Sequence, residues 1–231
     1  NRFQFKQIRL KSIIFILGTC FLIIAAIGPQ IGTKLTELKR EGVDLIIVLD
    51  ISTSMDAVDV KPSRLEKAKY ELSRLINNLK GDRIGIVVFA GTAHLHLPLT
   101  TDYAAARLFL QSITTDLIST QGTDLSLALN LAIEQIKEDT DQYKVVVIVS
   151  DGEDHQGNIM DITQEASKMD FMIHALGIGT SSGGPIPMLD ENGNRIEFKK
   201  DRKGNIVTTK LNDATLNEIA YTAGGKYIRV E

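Results

Sequence analysis

Residues 12–33 carry no charged side chain, and the core of that run, residues 13–27, is almost wholly apolar. A membrane-spanning helix needs ~20 apolar residues. Gly18, Thr19 and Cys20 within the run are tolerated in lipid. The competing reading is a signal-peptide core, but such a core has only about 7–15 residues before a small-residue cleavage site, here at best Ala25-Ala26. The run is therefore expected to be a transmembrane helix over 12–33. Residues 1–11 precede it as a basic segment, and 34–42 follow as a short polar linker. Arg2, Lys6, Arg9 and Lys11 lie before the run, against Lys34, Lys39 and Arg40 offset by Glu37 and Glu41 after it. The excess of positive charge places the N-terminal side in the cytoplasm and everything after the helix outside it.

Beyond residue 42 the pattern changes. Residues 43–49 form an apolar run broken only by Asp44, as in a strand buried on both faces. Residues 83–90, 145–150 and 171–178 repeat that pattern, and 226–230 reads as a last strand. Residues 63–79 place Leu65, Ala68, Leu72, Leu75, Ile76 and Leu79 at helical spacing. Helices are also expected over 102–112, 124–137, 158–168 and 214–222. Residues 93–99 alternate His and Leu just after Gly91-Thr92, so they read as a half-buried antiparallel strand. Strands alternating with helices give a mostly parallel sheet covered on both faces. Between 179 and 212 the alternation breaks. Asn192-Gly193, flanked by Met188-Leu189 and Ile196-Glu197-Phe198, signals a hairpin, and Lys203-Gly204-Asn205 a second turn. This stretch is expected to be a small β insertion on the surface of a domain spanning 43–231.

Composition narrows the chemistry. The 231 residues have a formal net charge of −3, so nothing draws the chain to nucleic acid. The single cysteine, Cys20, precludes an intrachain disulfide. The chain begins with Asn1 rather than Met, so it is read as a fragment.

The informative residues cluster at strand ends. Asp50-Ile51-Ser52-Thr53-Ser54 ends the first buried strand, Ser150-Asp151-Gly152 ends the third, and Gly122-Thr123 opens a helix. Ligands of open α/β sheets bind outside the carboxyl ends of strands, where strand order reverses. If strands 43–49 and 145–150 are neighbours, two carboxylates and a set of hydroxyls converge there. Such hard oxygens select Mg2+, with Mn2+ or Ca2+ as alternatives, over zinc or copper. A turn with a helix cap would explain Asp50, Ser52 and Ser54 alone, but not the whole set in this order.

In that order, Asp50-x-Ser52-x-Ser54, Thr123 and Asp151 resemble the metal-ion-dependent adhesion site of von Willebrand factor type A (vWA) domains. The resemblance covers residues 43–231. It implies a doubly wound, mostly parallel six-stranded sheet with one antiparallel edge strand. It also implies that Ser52, Ser54 and Thr123 contact the metal, that Asp50 and Asp151 hold it, often through water, and that an acidic side chain of a protein partner fills the open position. Val60-Lys61-Pro62-Ser63-Arg64-Leu65, Phe89-Ala90-Gly91, Pro98-Leu99-Thr100, Gln121-Gly122-Thr123, residues 150–155, Pro185-Ile186-Pro187 and residues 222–225 are similar to bacterial aerotolerance-operon (BatA/BatB-like) vWA membrane proteins. That subgroup implies further membrane helices before and after this stretch, a bacterial inner-membrane location, other Bat-type proteins as partners and a MoxR-type AAA+ ATPase as neighbour. An outward-facing site and a cytoplasmic ATPase would then lie on opposite sides of the membrane.

Other residues have plainer readings. His94 and His96 share a strand face without a third ligand, and His174 reads as a satisfied core residue. His155, Glu153 and Asp154 are candidates for the site rim. Asp56, Asp59 and Asp124 could add negative charge around a metal, but suit loops and caps equally. No nucleophile beside a base and no nucleotide-binding loop is evident. A binding module is therefore expected rather than an enzyme. The alternatives are a haloacid-dehalogenase-type phosphotransferase, whose usual second acid is replaced by Ser52, and a scaffold with an unused site. Replacing Asp50 with Ala is expected to abolish metal binding and spare the fold, on the premise that the site lies at the loop surface.

Overall fold

The computed structural model describes residues 2–27, 42–136, 142–153, 159–189 and 195–231. The chain divides into two units, split after Lys39. In the first, helix α1 (Arg2–Ile27) runs straight through the basic segment that the sequence set apart. Ile13, Ile14, Phe15, Ile16 and Leu17 are each more than half exposed. Consecutive helical positions are about 100° apart, so five in a row expose apolar surface on every side of the helix. Among the described residues no helix is long and apolar enough to cross a membrane. The expected span continues into 28–33, which lie outside the described residues, as do 34–41 of the linker.

The second unit has strands β1 (Val43–Asp50), β2 (Arg83–Phe89), β3 (Ala93–Thr100), β4 (Tyr143–Ser150), β5 (Phe171–Ile178), β6 (Gly184–Pro185), β7 (Pro187–Leu189), β8 (Arg195–Phe198), β9 (Thr208–Thr209) and β10 (Tyr227–Val230). Its helices are α2 (Arg64–Asn78), α3 (Tyr103–Gln111), α4 (Leu125–Gln135), α5 (Ile159–Lys168) and α6 (Asp213–Thr222). The six-stranded sheet has the order β10-β5-β4-β1-β2-β3. All its pairings are parallel except β2 with β3, so the antiparallel edge strand is the one expected at 93–99.

Alternate residues of each strand feed two cores. Ile46, Val48, Val87 and Phe89 pack with α4, α5 and α6. Leu45, Ile47, Leu49, Ile84 and Ile86 pack with α2 and α3. The polar break in β1 is answered by pairing: Asp44 is buried and accepts two bonds from the Arg83 guanidinium, at 2.7 and 2.6 Å. Three expected helix starts are N-caps. The Ser63 hydroxyl accepts from the Glu66 amide, Asp102 from the Ala104 and Ala105 amides, and Asp124 from the Leu127 amide, each satisfying amides that an open helix end leaves without a partner.

Two features position the site. First, β1 and β4 are neighbours, yet the helix after β1 packs on one face and the helix after β4 on the other. Their carboxyl ends therefore flank the topological switch point, where open α/β sheets leave a crevice. Second, the insertion is two small antiparallel pairs, β6 with β9 and β7 with β8. The hairpin expected around Asn192-Gly193 has its strands in place, with its tip outside the described residues. At the second turn the Gly204 amide donates to the Asp201 carbonyl with Gly204 at φ 86°, a backbone conformation glycine adopts without strain.

Candidate metal-binding site at the carboxyl edge of the sheet

Asp50 is the last residue of β1, and both it and Asp151, just past β4, are fully buried. The Ser52 amide donates to Asp50 Oδ1 at 2.9 Å, which curls the chain back after the strand, and the Ser150 hydroxyl donates to Oδ2 at 2.6 Å. That curl brings the Ser52 and Ser54 hydroxyls to 2.9 Å from each other. The loop bearing Thr123 is held by backbone bonds to the turn after β2: the Gly91 amide donates to the Thr120 carbonyl, and the Asp124 amide to the Ala90 carbonyl. Ser52, Ser54 and Thr123 then share the wall of one cavity of about 340 Å³. The two carboxylates lie beneath that wall rather than on it. The premise that Asp50 lies at the loop surface is therefore corrected: the strand carries it into the interior.

Burial of two acids side by side has an electrostatic consequence. Loss of hydration, and then the charge of Asp151, push the Asp50 carboxyl up to about 7, against the bonds from Ser150 and Ser52. Asp151 is also raised by burial, although the Ser54 hydroxyl and the Arg64 guanidinium pull it back. Arg64 was not singled out from the sequence as a site residue. It is fully buried, and all five of its N–H groups are used. Nε and Nη2 donate to Asp59 at 2.9 Å each, Nη1 to Asp151 Oδ2 at 2.8 Å and to Thr209 Oγ1 at 3.1 Å, and Nη2 also to the Thr209 carbonyl at 3.0 Å. Arg64 thus answers Asp59 and Asp151 but not Asp50, so the three acids outnumber that one guanidinium. Buried charge without a counter-ion is costly, and a dication would balance it.

The donor set limits which ion fits. Among the described residues no group of three or more His, Cys, Asp or Glu could hold a metal, so any coordination sphere here is completed by hydroxyls, carbonyls or water. Hydroxyl and carboxylate oxygens suit Mg2+, Mn2+ or Ca2+. The five residues expected from the sequence fit such an ion: three hydroxyls on the cavity wall and two carboxylates behind them.

The other candidates fall away from this point or join it. His94 Nε2 lies 3.2 Å from the Thr92 hydroxyl, and His96 Nε2 lies 3.2 Å from the Phe109 carbonyl. His174 is only half-buried, and its Nδ1 accepts from the Lys226 amide at 3.0 Å. Asp124 is a helix cap. Asp56 accepts from the Thr115 hydroxyl at 2.9 Å, and burial raises its carboxyl. Asp59 reaches the site through Arg64, whose bonds hold its carboxyl low against the opposing effect of burial. Glu153 does sit on the cavity rim, accepting from the Thr209 hydroxyl at 2.9 Å. Asp154 and His155 lie outside the described residues. The largest departure is the insertion. It does not simply decorate the surface, since Ile186, Lys199, Val207, Thr208 and Thr209 supply one wall of the cavity. No local signal marks such contacts, but Arg64 sits in the Val60–Leu65 motif, and a buried arginine there implies acids around it.

The family model for the von Willebrand factor type A domain matches residues 45–153. The chain is 42% identical to the conserved hypothetical protein BatB of Bacteroides thetaiotaomicron, with TM-score 0.77 over 82% of this chain and 91% of that one. It is 43% identical to an aerotolerance-related membrane protein of Bacteroides fragilis, with TM-score 0.77 over 82% of this chain and 92% of that one. A UPF0353 protein of Nocardia farcinica is 27% identical over 93% of this chain, which spans 65% of that relative's length. With its fold, its strand-end acids and this likeness together, the chain belongs to the vWA-domain proteins of the aerotolerance-related Bat group.

Proposed function

We propose that this chain is a membrane-anchored binding module, not an enzyme, that takes up one divalent cation, Mg2+ foremost, and uses it to grip an acidic side chain of a protein partner. The observation that carries this reading is the convergence of the Ser52, Ser54 and Thr123 hydroxyls on one cavity above two buried acids, of which only Asp151 has the Arg64 guanidinium as its partner. When bound, the ion would supply a Lewis-acidic position open to a carboxylate. Asp50 and Asp151 would hold it electrostatically, and the three hydroxyls would meet it at the wall. Arg64 fixes the Asp151 carboxylate, so the site needs little rearrangement to accept its ion. The anchor is assigned to residues 12–33 on the exposed apolar girth of α1 and on the membrane description of the Bacteroides fragilis relative. A bacterial inner-membrane location, with the domain on the outer side, and service beside other Bat-type proteins and a MoxR-type ATPase belong to the same proposal.

Calorimetric titration of the 231-residue chain with Mg2+ and Mn2+, beside Asp50→Asn and Thr123→Ala, tests it. One saturable site, lost in Asp50→Asn and weakened in Thr123→Ala, is expected. Metal-free Asp50→Asn should be at least as stable as the parent, because it removes a buried charge. Equal metal binding by the parent and Asp50→Asn would overturn the proposal, and no binding by the parent would favour a scaffold.

A further inference from the structure

The cavity above the hydroxyls has one cationic wall residue among the described ones, Lys199, and one anionic residue, Glu153. Glu153 is occupied by the Thr209 hydroxyl and the Lys210 amide. Lys199 Nζ donates to Thr53 Oγ1 at 3.0 Å. Thr53 is the residue between Ser52 and Ser54, and Lys199 lines the same cavity as that hydroxyl pair, while its charge also reaches Asp56. The backbone around it is pinned on both sides: the Lys199 amide donates to the Ile186 carbonyl and the Lys199 carbonyl accepts from the Val207 amide, each at 2.8 Å. Lys199 is the cationic donor on this wall, and two other nitrogen donors near it already have partners. Gln121 Nε2 donates to the Ile118 carbonyl, and Arg64 spends its N–H groups beneath the wall.

A carboxylate that gives one oxygen to a metal has a second oxygen needing a donor. We infer that Lys199 is that donor: the β insertion carries a specificity residue that selects a carboxylate over a neutral amide or hydroxyl in the cavity. This rests on the metal-site reading and adds to it the residue that discriminates the partner. The ammonium is a compact point charge with three donors, so it can keep Thr53 while reaching a second oxygen. Glu153 is the anionic residue of the same wall and repels a carboxylate, so a bound carboxylate is drawn to Lys199. Charge-assisted bonds in such a place are worth about ten- to a hundredfold in affinity.

The test uses the 231-residue chain with saturating Mg2+ and N-acetylglutamate α-amide as the probe, followed by NMR titration, with the glutamine analogue as control. The variants are Lys199→Met, which keeps the aliphatic stem, and Lys199→Glu. The parent should bind the glutamyl probe and not the glutamine analogue. Lys199→Met should lose about tenfold and Lys199→Glu more, while Mg2+ affinity in Lys199→Met stays at or above the parent's, since a nearby positive charge is gone. Equal probe binding by the parent and Lys199→Met overturns the inference and leaves the metal site standing, as does a parent that binds Mg2+ but not the probe. Probe binding that needs Lys199 but no Mg2+ does the reverse: the lysine is upheld and the metal reading fails.

Discussion

Arg64 shows how much of this site depends on one side chain outside the metal-ligand pattern. Its planar fork meets two carboxylates, a hydroxyl and a carbonyl at once, with no donor to spare. Gly179 lies against it, where a Cβ would come within 2.9 Å of Nε, so the pocket is shaped to the guanidinium. A lysine has three donors and cannot reproduce this geometry. Removing one member of a buried ionic group leaves its partners charged and unpaired, at a cost of about 3–5 kcal/mol. Arg64→Ala is therefore expected to lose that much stability in urea unfolding, and Arg64→Lys a substantial part of it. Adding Asp151→Asn to Arg64→Ala should recover some of the loss, because it removes one stranded charge. Strict additivity of the two substitutions would show that the Arg64–Asp151 pair contributes no coupling energy.

Among the elements, the loop carrying Thr123 is placed by the turn after β2, and the contact is close. A Cβ on Gly91 would lie 2.7 Å from the Gln121 carbonyl oxygen and 2.9 Å from that of Thr120. Both are backbone atoms, so Gly91→Ala must push the loop away instead of turning a side chain aside. The turn and the loop are solvent-facing at Thr120 and Gln121, so the shift can be absorbed without opening the cores. The expectation is a folded variant with an unfolding midpoint near the parent's and Mg2+ affinity lower by about ten- to a hundredfold, the usual cost of disturbing what orients a ligand. Calorimetry beside thermal unfolding checks it, and unchanged affinity would detach Thr123 from the metal. The same comparison shows what sequence could tell. β1, β2 and β4 were legible because a strand buried on both faces is apolar along most of its length, whereas β5, expected to be buried alike, exposes Met172 and half-exposes His174 on one face; Ser63, Asp102 and Asp124 were legible as caps because open helix amides need an acceptor. That Asp50 and Asp151 come together was legible because strand ends converge at the switch point, while Thr123 joined the expected set through the family resemblance. The bonds from Thr209 to Asp151 and from Lys199 to Thr53 were not, because they join residues 58 and 146 apart in the chain and no local pattern encodes where an irregular insertion lands.

For the whole molecule, the ordering of the sheet makes β5 and β10 its outer parallel pair, and the joint between them sets a pH limit on the fold. His174 in β5 is half-buried, and its Nδ1 accepts from the Lys226 amide just before β10. An imidazole that accepts a bond there must be neutral at that nitrogen. Burial, and then the positive charge of Lys226, lower its pKa from the ordinary 6.5. In the unfolded chain His174 takes up its proton near 6.5, whereas in the folded chain it does so only at lower pH. Above 6.5 both forms are neutral and the residue adds no slope. As pH falls through 6.5 the unfolded state binds the proton first, so stability declines until the folded pKa is passed, and levels off below it. Burial is incomplete and solvent screens the charge, so the decline is gradual. His174→Gln abolishes the titration at this position alone and leaves His94, His96 and His155 as they are. The urea midpoint of the parent minus that of the variant, followed from pH 8 to pH 4.5, should be flat above about 7 and fall below it. A difference that stays level across the range would show that Lys226 and burial do not hold His174 neutral, and that the β5–β10 edge tolerates a charged imidazole.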